Sequence, residues 1–94
     1  MAGDSDKMNE LTDLPNVGAV LAERLRRAGI ETPVDLKAAG NVEALLRVRR
    51  VMAGDKPCAS MLYALEGAIR GVRWHGIPAG ERSELWRRYQ AQAQ

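Results

Sequence analysis

The feature that most constrains the fold is a turn signal near the start of the chain, Leu14-Pro15-Asn16-Val17-Gly18. Pro15 fixes its own φ and ends any preceding helix, and Asn16 and Gly18 are residue types that tolerate left-handed or strained backbone. After the turn, apolar residues recur at helical spacing as far as Ala28, and the next residue is a glycine, a common helix C-cap. The sequence therefore predicts a sharp turn that opens a helix over roughly residues 18–28.

This turn has the layout of a helix-hairpin-helix element, in which backbone N–H groups at a helix start can face a phosphate. Typical DNA-binding hairpins read Gly-hydrophobic-Gly, often with Lys two residues after the second Gly. Here Asn16 replaces the first Gly, and Val20 stands where the Lys would be. Backbone amides do not depend on side-chain identity, so Gly18, Ala19 and Val20 could still bind a phosphate. The alternative is a turn that only packs two helices.

The next helix has a clear start signal at Thr32-Pro33-Val34-Asp35. Thr32 is a capping residue, Pro33 suits the first helical position, and Asp35 has the spacing of a capping box. We expect this helix to end at Gly40 and a further helix to start at Asn41.

The second half of the chain predicts two more helices. The segment from Cys58 to Val72 is apolar around most of its circumference, which is typical of a buried central helix. The last helix begins near Pro78, and Leu85, Trp86 and Tyr89 are expected to dock on the core, with an exposed partner surface as the alternative.

No alternating period indicates a strand, so we expect an all-α fold. Residues 1–7 are polar and predict a disordered tail, followed by a short helix over about 8–13. With 94 residues the chain makes one domain, over about 8–92. The predicted architecture is a compact orthogonal bundle of five to six helices.

Two segments of the chain resemble a known family. The turn at 14–18 and the segment Gly29-Ile30-Glu31-Thr32-Pro33 resemble the start of the C-terminal domain of TfoX/Sxy proteins. The segment Met61-Leu62-Tyr63-Ala64-Leu65-Glu66-Gly67-Ala68-Ile69, followed by Gly71-Val72-Arg73-Trp74-His75, resembles its most specific block. The resemblance covers about residues 10–90 and implies a SAM-domain-like, helix-hairpin-helix bundle related to regulators of natural competence. The family's mixed α/β N-terminal domain has no counterpart in these residues.

A first cluster of arginines follows the turn. Arg24 and Arg27 are three residues apart and share a helix face, where they could flank a phosphate held by the turn. The alternative is a solvated face on which Glu23 and Arg27 form a weak pair.

A second cluster is Arg47, Arg49 and Arg50. Glu43 lies four residues before Arg47 and is expected to pair with it, which leaves Arg50 for outside contact. Whether the two clusters adjoin is open. The candidate nucleic-acid-binding residues are therefore Asn16, Val17, Gly18, Ala19, Val20, Arg24, Arg27 and Arg50.

A polar stripe on the central helix favours a structural role. Glu66 and Arg70 are four apart and are expected to pair, and Trp74 and His75 lie close by in sequence. We interpret these four residues as a network that fixes the last helix, since ion pairs in such positions are retained for geometry more often than for stability.

Nothing in the pattern favours an enzyme or a metal site. A Cys58–His75 nucleophile–base pair lacks an orienting third group, and one Cys with one His does not make a zinc site. Cys58 lies near a predicted helix start, where a thiolate is favoured. We expect no cofactor.

The expected function is a non-enzymatic regulatory module that binds the nucleic-acid backbone without sequence specificity, because no residue has an obvious base-reading role. The alternative is a protein-interaction or dimerisation module with no DNA binding. A net charge of +2 favours neither partner strongly. One cysteine, no signal peptide and no long apolar run predict a cytoplasmic location away from membranes.

Overall fold

The computed structural model describes residues 10–52 and 57–93. Within these ranges the fold is all-helical and has no strands, as predicted. Its α-helices are α1 (Ala19–Arg27), α2 (Pro33–Val51), α3 (Ala59–Arg70) and α4 (Ala79–Ala93). Two short 3-10 turns, Leu11–Asp13 and Trp74–Gly76, precede α1 and α4. The predicted tail over 1–7 lies outside the described residues.

The expected count of five to six helices is not confirmed, because the described residues form four. Of the first helix, predicted over about 8–13, the described residues form the 3-10 turn Leu11–Asp13. The two helices predicted on either side of Gly40 form α2, which is kinked there because Gly40 has the non-helical angles φ 83°, ψ 170°. The sequence therefore located the interruption, which is the kink between the two helical segments of α2.

Helix α1 begins and ends within one residue of its predicted bounds. It is closed by Gly29, whose φ of 88° is in the left-handed region that favours glycine. The N–H of Ile30 then donates to the carbonyl of Leu25 at 2.8 Å, and both side chains are fully buried. This return of the chain toward the core sets the direction in which α2 starts.

The start of α2 has the predicted capping box. The Thr32 hydroxyl accepts the Asp35 N–H at 3.1 Å, and the Asp35 carboxylate accepts the Thr32 N–H at 3.2 Å. Pro33 occupies the first turn, where its missing N–H costs nothing.

Helix α3 is the centre of the fold, as its apolar circumference predicts. It packs against both α2 and α4. From α4, Leu85 and Tyr89 are buried, and Trp86 is half-buried with its ring stacked on Tyr89 at 5.2 Å. Among the described residues, the fully buried large side chains are Leu11, Leu25, Ile30, Leu36, Leu45, Val48, Leu62, Leu65 and Ile77. Among the described residues, no helix combines the length and the hydropathy of a membrane span.

Candidate nucleic-acid interface

The turn before α1 is held by the side chain of Asn16. Asn16 adopts a left-handed φ of 70°, which Asn tolerates better than most residues. Its Nδ2 donates to the carbonyls of Val72 at 2.9 Å and Ala64 at 3.4 Å, and its Oδ1 accepts the N–H of Trp74 at 3.1 Å. The side chain therefore ties the turn to α3 and to the segment that follows it.

Gly67 on α3 provides the space for this contact. A Cβ at Gly67 would lie 2.5 Å from Nδ2 of Asn16 and 2.6 Å from the carbonyl oxygen of Val72. No side chain larger than hydrogen fits there without displacing backbone. The sequence gives no sign of this role, because the partner of Gly67 lies far away in the chain.

The start of α1 is an open helix end. Its N-cap is Gly18, which contributes no capping side chain, and its first turn contains no acidic residue. The hydrogen-bond ladder begins with the N–H of Ala22, which donates to the carbonyl of Gly18 at 3.0 Å. Ala19 and Val20 precede that bond and are exposed, so their N–H groups lie at an accessible helix end.

The predicted turn residues therefore divide into two groups. The Asn16 side chain is engaged within the protein, and the N–H of Val17 donates to Leu14 at 3.3 Å while its side chain is buried. Gly18, Ala19 and Val20 are exposed. The candidates for phosphate contact are thus the amides of these last three residues.

A groove adjoins this helix end, with a volume of about 340 Å³. It lies between α1 and α3, and the first turns of both helices line it. Val20 stands on its α1 side and is 68% exposed. The other lining residues are Leu21, Arg24, Cys58, Ser60, Met61, Ala64 and Trp74. The lining is mainly apolar, with one cationic side chain.

Cys58 occupies the α3 end of this groove. It is the exposed N-cap of α3, and its sulfur lies 3.1 Å from the Ser60 hydroxyl. The hydrogen bond from Ser60 lowers the pKa of the Cys58 thiol below its ordinary value. Burial raises the pKa by a smaller amount, and backbone N–H groups at the start of α3 lower it further. Cys58 therefore ionises more readily than a free cysteine. The partner of Cys58 is Ser60, whereas His75 stacks on Trp74.

The arginines of α1 have different surroundings. Arg24 is half-buried and lines the groove. Arg26 lies 3.9 Å from the Glu10 carboxylate. Arg27 is exposed, and the described residues show no ion pair between it and Glu23. Arg24 is therefore the α1 arginine that the structure brings to the candidate site.

The second arginine cluster lies elsewhere. Arg47 pairs with Glu43 at 2.8 Å, as predicted from their spacing. Arg49 donates to the carbonyl of Ala93 at 3.4 Å, and Arg50 lines a depression of about 370 Å³ against the end of α4. Arg24 and Arg50 therefore line two different depressions.

The polar stripe on α3 joins three helices. Arg70 pairs with Glu66 at 2.6 Å, as expected, and also with Glu81 of α4 at 3.0 Å. Glu66 accepts from the Asn41 amide of α2 at 2.7 Å. Asn41 and Glu81 are members that sequence reasoning missed, because both pairings cross between helices.

Trp74 and His75 belong to a separate aromatic cluster. Their rings stack with centroids 4.0 Å apart, and the Tyr63 ring lies 5.7 Å from that of Trp74. The guanidinium of Arg82 lies 5.5 Å from the Trp74 ring and 5.8 Å from the Tyr63 ring, within cation–π range. This cluster supports Trp74 where it lines the groove.

Comparison with known proteins agrees with the resemblance found in the sequence. The family model of the TfoX C-terminal domain matches residues 7–89. An uncharacterized protein from Listeria monocytogenes, in a triclinic crystal form, is 46% identical with a TM-score of 0.77, and the match covers 87% of this chain and 91% of that chain. A protein of unknown function from the same organism, in a tetragonal form, is also 46% identical with a TM-score of 0.78, and the match covers 88% and 99%.

No curated protein matches the chain. The family model nevertheless spans most of the sequence, including the turn, the groove and the central helix. The similar crystal structures share the fold over nearly the same extent. The chain belongs to the TfoX C-terminal domain family.

Proposed function

We propose that this protein is a non-enzymatic regulatory module that binds the nucleic-acid backbone at its helix-hairpin-helix-like turn. The observation that carries the proposal is the open start of α1. There Gly18, Ala19 and Val20 are exposed, the first turn contains no acidic residue, and Arg24 lines the adjoining groove. The family's link with competence regulation supports a nucleic-acid partner.

The chemistry of the site suits a phosphate. Free N–H groups and the positive end of the helix dipole favour an anion at a helix start, and Arg24 adds a guanidinium that can bind phosphate oxygens. Contacts of this kind position a nucleic acid without reading its bases, so binding is non-specific in sequence. Since Val20 replaces the usual Lys, the affinity falls less steeply with salt than in hairpins that carry the lysine.

The sharpest test is Gly18→Asp. A Cβ at Gly18 meets nothing within 4 Å, and Asp is a favoured N-cap, so this variant should be at least as stable as the wild type. Its carboxylate occupies the helix end and repels phosphate. We therefore expect binding of labelled DNA, measured by fluorescence anisotropy at low and moderate salt, to be lost.

Gly80→Asp is the matched control. Gly80 is exposed in the first turn of α4, and a Cβ there also meets nothing within 4 Å. This variant changes the net charge equally and should still bind. Wild-type affinity in Gly18→Asp, or no binding by the wild type at low salt, would contradict the proposal.

A protein-interaction module is the second candidate, and the apolar lining of the groove favours it. Val20 is 68% exposed there, and Met61 and Leu21 line the same groove. Dimerisation through the last helix has less support, because Leu85 and Tyr89 are buried in the core. Light scattering after size exclusion tests self-association: a monomer at all concentrations argues against a dimer.

Under either candidate we propose a cytoplasmic location, where the exposed Cys58 thiol stays reduced.

A further inference from the structure

We infer that the groove between α1 and α3 receives an unpaired base, so that the module binds single-stranded nucleic acid more tightly than duplex. The inference rests on the proposed function, since it places the base next to a phosphate at the start of α1. It adds a ligand class and a second set of contacts, made by the groove walls.

The groove has an apolar lining beside the candidate phosphate site. Val20, Leu21, Met61 and Ala64 present mainly hydrocarbon to the groove, and Val20 is 68% exposed to water. A duplex presents phosphates and sugars outward while its bases stay stacked inside, so it leaves these walls uncovered. An unpaired base has an apolar face that can cover them. The volume of about 340 Å³ lies within the range of sites for small ligands.

The charge of the groove complements an anionic group. Arg24, which is half-buried, lines the same groove as the apolar residues. A ligand that carries an anionic group directly next to an apolar plane matches this arrangement, and a nucleotide unit has that composition. A wholly apolar peptide segment would leave Arg24 without a counter-charge.

The groove wall is held in place by contacts within the protein. The N–H of Trp74 is held by Oδ1 of Asn16 at 3.1 Å, and its ring contacts His75 and Arg82. The residue that shapes the turn therefore also fixes the groove wall. Such preorganisation reduces the entropic cost of binding.

The experiment compares three labelled ligands of equal length by fluorescence anisotropy at low salt: an oligothymidylate, an abasic single strand and a duplex. The abasic strand keeps the phosphates and lacks the bases. We expect the oligothymidylate to bind about tenfold more tightly than either of the others, in keeping with the contribution of base contacts in single-strand binding.

Val20→Lys separates the two sets of contacts. The lysine adds a phosphate contact and removes apolar surface, so the affinity for the abasic strand and the duplex should rise. The ratio of the affinity for the oligothymidylate to either of these affinities should therefore fall. Val34→Lys is the matched control, because Val34 is 75% exposed and holds the equivalent second position in α2. It should leave the preference unchanged.

A second readout is the fluorescence of Trp74, isolated in a Trp86→Phe variant. The oligothymidylate should quench it, and the abasic strand at saturation should not. Equal affinity for all three ligands, or equal quenching by both single strands, overturns the base inference and leaves the proposed function standing. Absence of binding to all three at low salt overturns both.

Discussion

The starts of α1 and α2 differ in how their first backbone N–H groups are satisfied. Each helix begins with N–H groups that lack intrahelical partners. At α2 the partners are local, since the side chains of Thr32 and Asp35 exchange hydrogen bonds with each other's backbone. At α1 the N-cap is Gly18, which has no side chain, and the approaching chain is held by the distant contacts of Asn16.

This difference separates a structural element from a candidate site. The closed end of α2 carries its own carboxylate, which excludes an external anion. The open end of α1 lies beside Arg24 and an apolar groove, and a ligand can supply the missing partners. Exposure alone does not distinguish the two ends, because Val20 and Val34 are both exposed at equivalent positions.

The largest effect is expected for Gly67→Ala. The added methyl would lie 2.5 Å from Nδ2 of Asn16 and 2.6 Å from the Val72 carbonyl, so it forces the turn away from α3. We expect the free energy of unfolding to fall by about 3 kcal/mol, measured by chemical denaturation. Gly80→Ala, where nothing lies within 4 Å, serves as control and should be neutral or slightly stabilising. Equal stability of the two variants would show that the turn is not held as described.

Asn16→Ala should lower the free energy of unfolding by about 2 kcal/mol, because it removes three hydrogen bonds and places alanine at a φ of 70°. Asn16→Gly removes the same hydrogen bonds, but glycine adopts the left-handed φ without strain. Its loss of unfolding free energy should therefore be smaller than that of Asn16→Ala. Thermal or chemical denaturation of both variants divides the role of Asn16 into these two parts. If they lose equal stability, the left-handed backbone contributes nothing.

Thr32→Ala should cost about 1 kcal/mol, since it removes one half of the local capping box. Gly18→Ser should instead gain a few tenths of a kcal/mol by adding a cap to α1. The exposed Thr12, in the first 3-10 turn, provides Thr12→Ala as control. A loss on capping Gly18 would mean that the α1 amides already have partners within the protein.

The smallest effect concerns Cys58 at the start of α3. Its lowered pKa means that the thiolate forms at a lower pH than in a free cysteine, so the pH midpoint of iodoacetamide alkylation should also be lower. Ser60→Ala removes the hydrogen bond that favours the thiolate, so the midpoint should rise. Ser83→Ala on α4 is the control. An unchanged midpoint in Ser60→Ala would assign the shift to the backbone N–H groups alone.

Elements with local causes were predictable. The capping box of α2, the end of α1 at Gly29 and the Glu43–Arg47 pair involve residues within a few positions of each other. The apolar circumference of α3 likewise indicated its central position. The number of helices was harder to predict, because the backbone angles of one residue, Gly40, separate a kinked helix from two successive helices.

The candidate site was only partly predictable. The sequence identified the turn and Arg24, but it also grouped Arg50 with them, which lines a different depression. It did not indicate that α3 completes the groove, since Met61 and Trp74 lie far from the turn in the chain. These relations depend on how helices pack, for which helical periodicity contains no information.

The sequence by itself therefore determined that the fold is helical, where α1 ends, how α2 starts and which family this protein belongs to, because short-range hydrogen bonding and patterning suffice for these. Only the tertiary structure decided the role of Asn16. Its amide reaches across to Val72 and Trp74 through the space left by Gly67, and no local rule predicts a contact between such distant residues. The Asn16 side chain, predicted as a ligand contact, holds the turn, and Gly18 to Val20 are the turn residues left exposed.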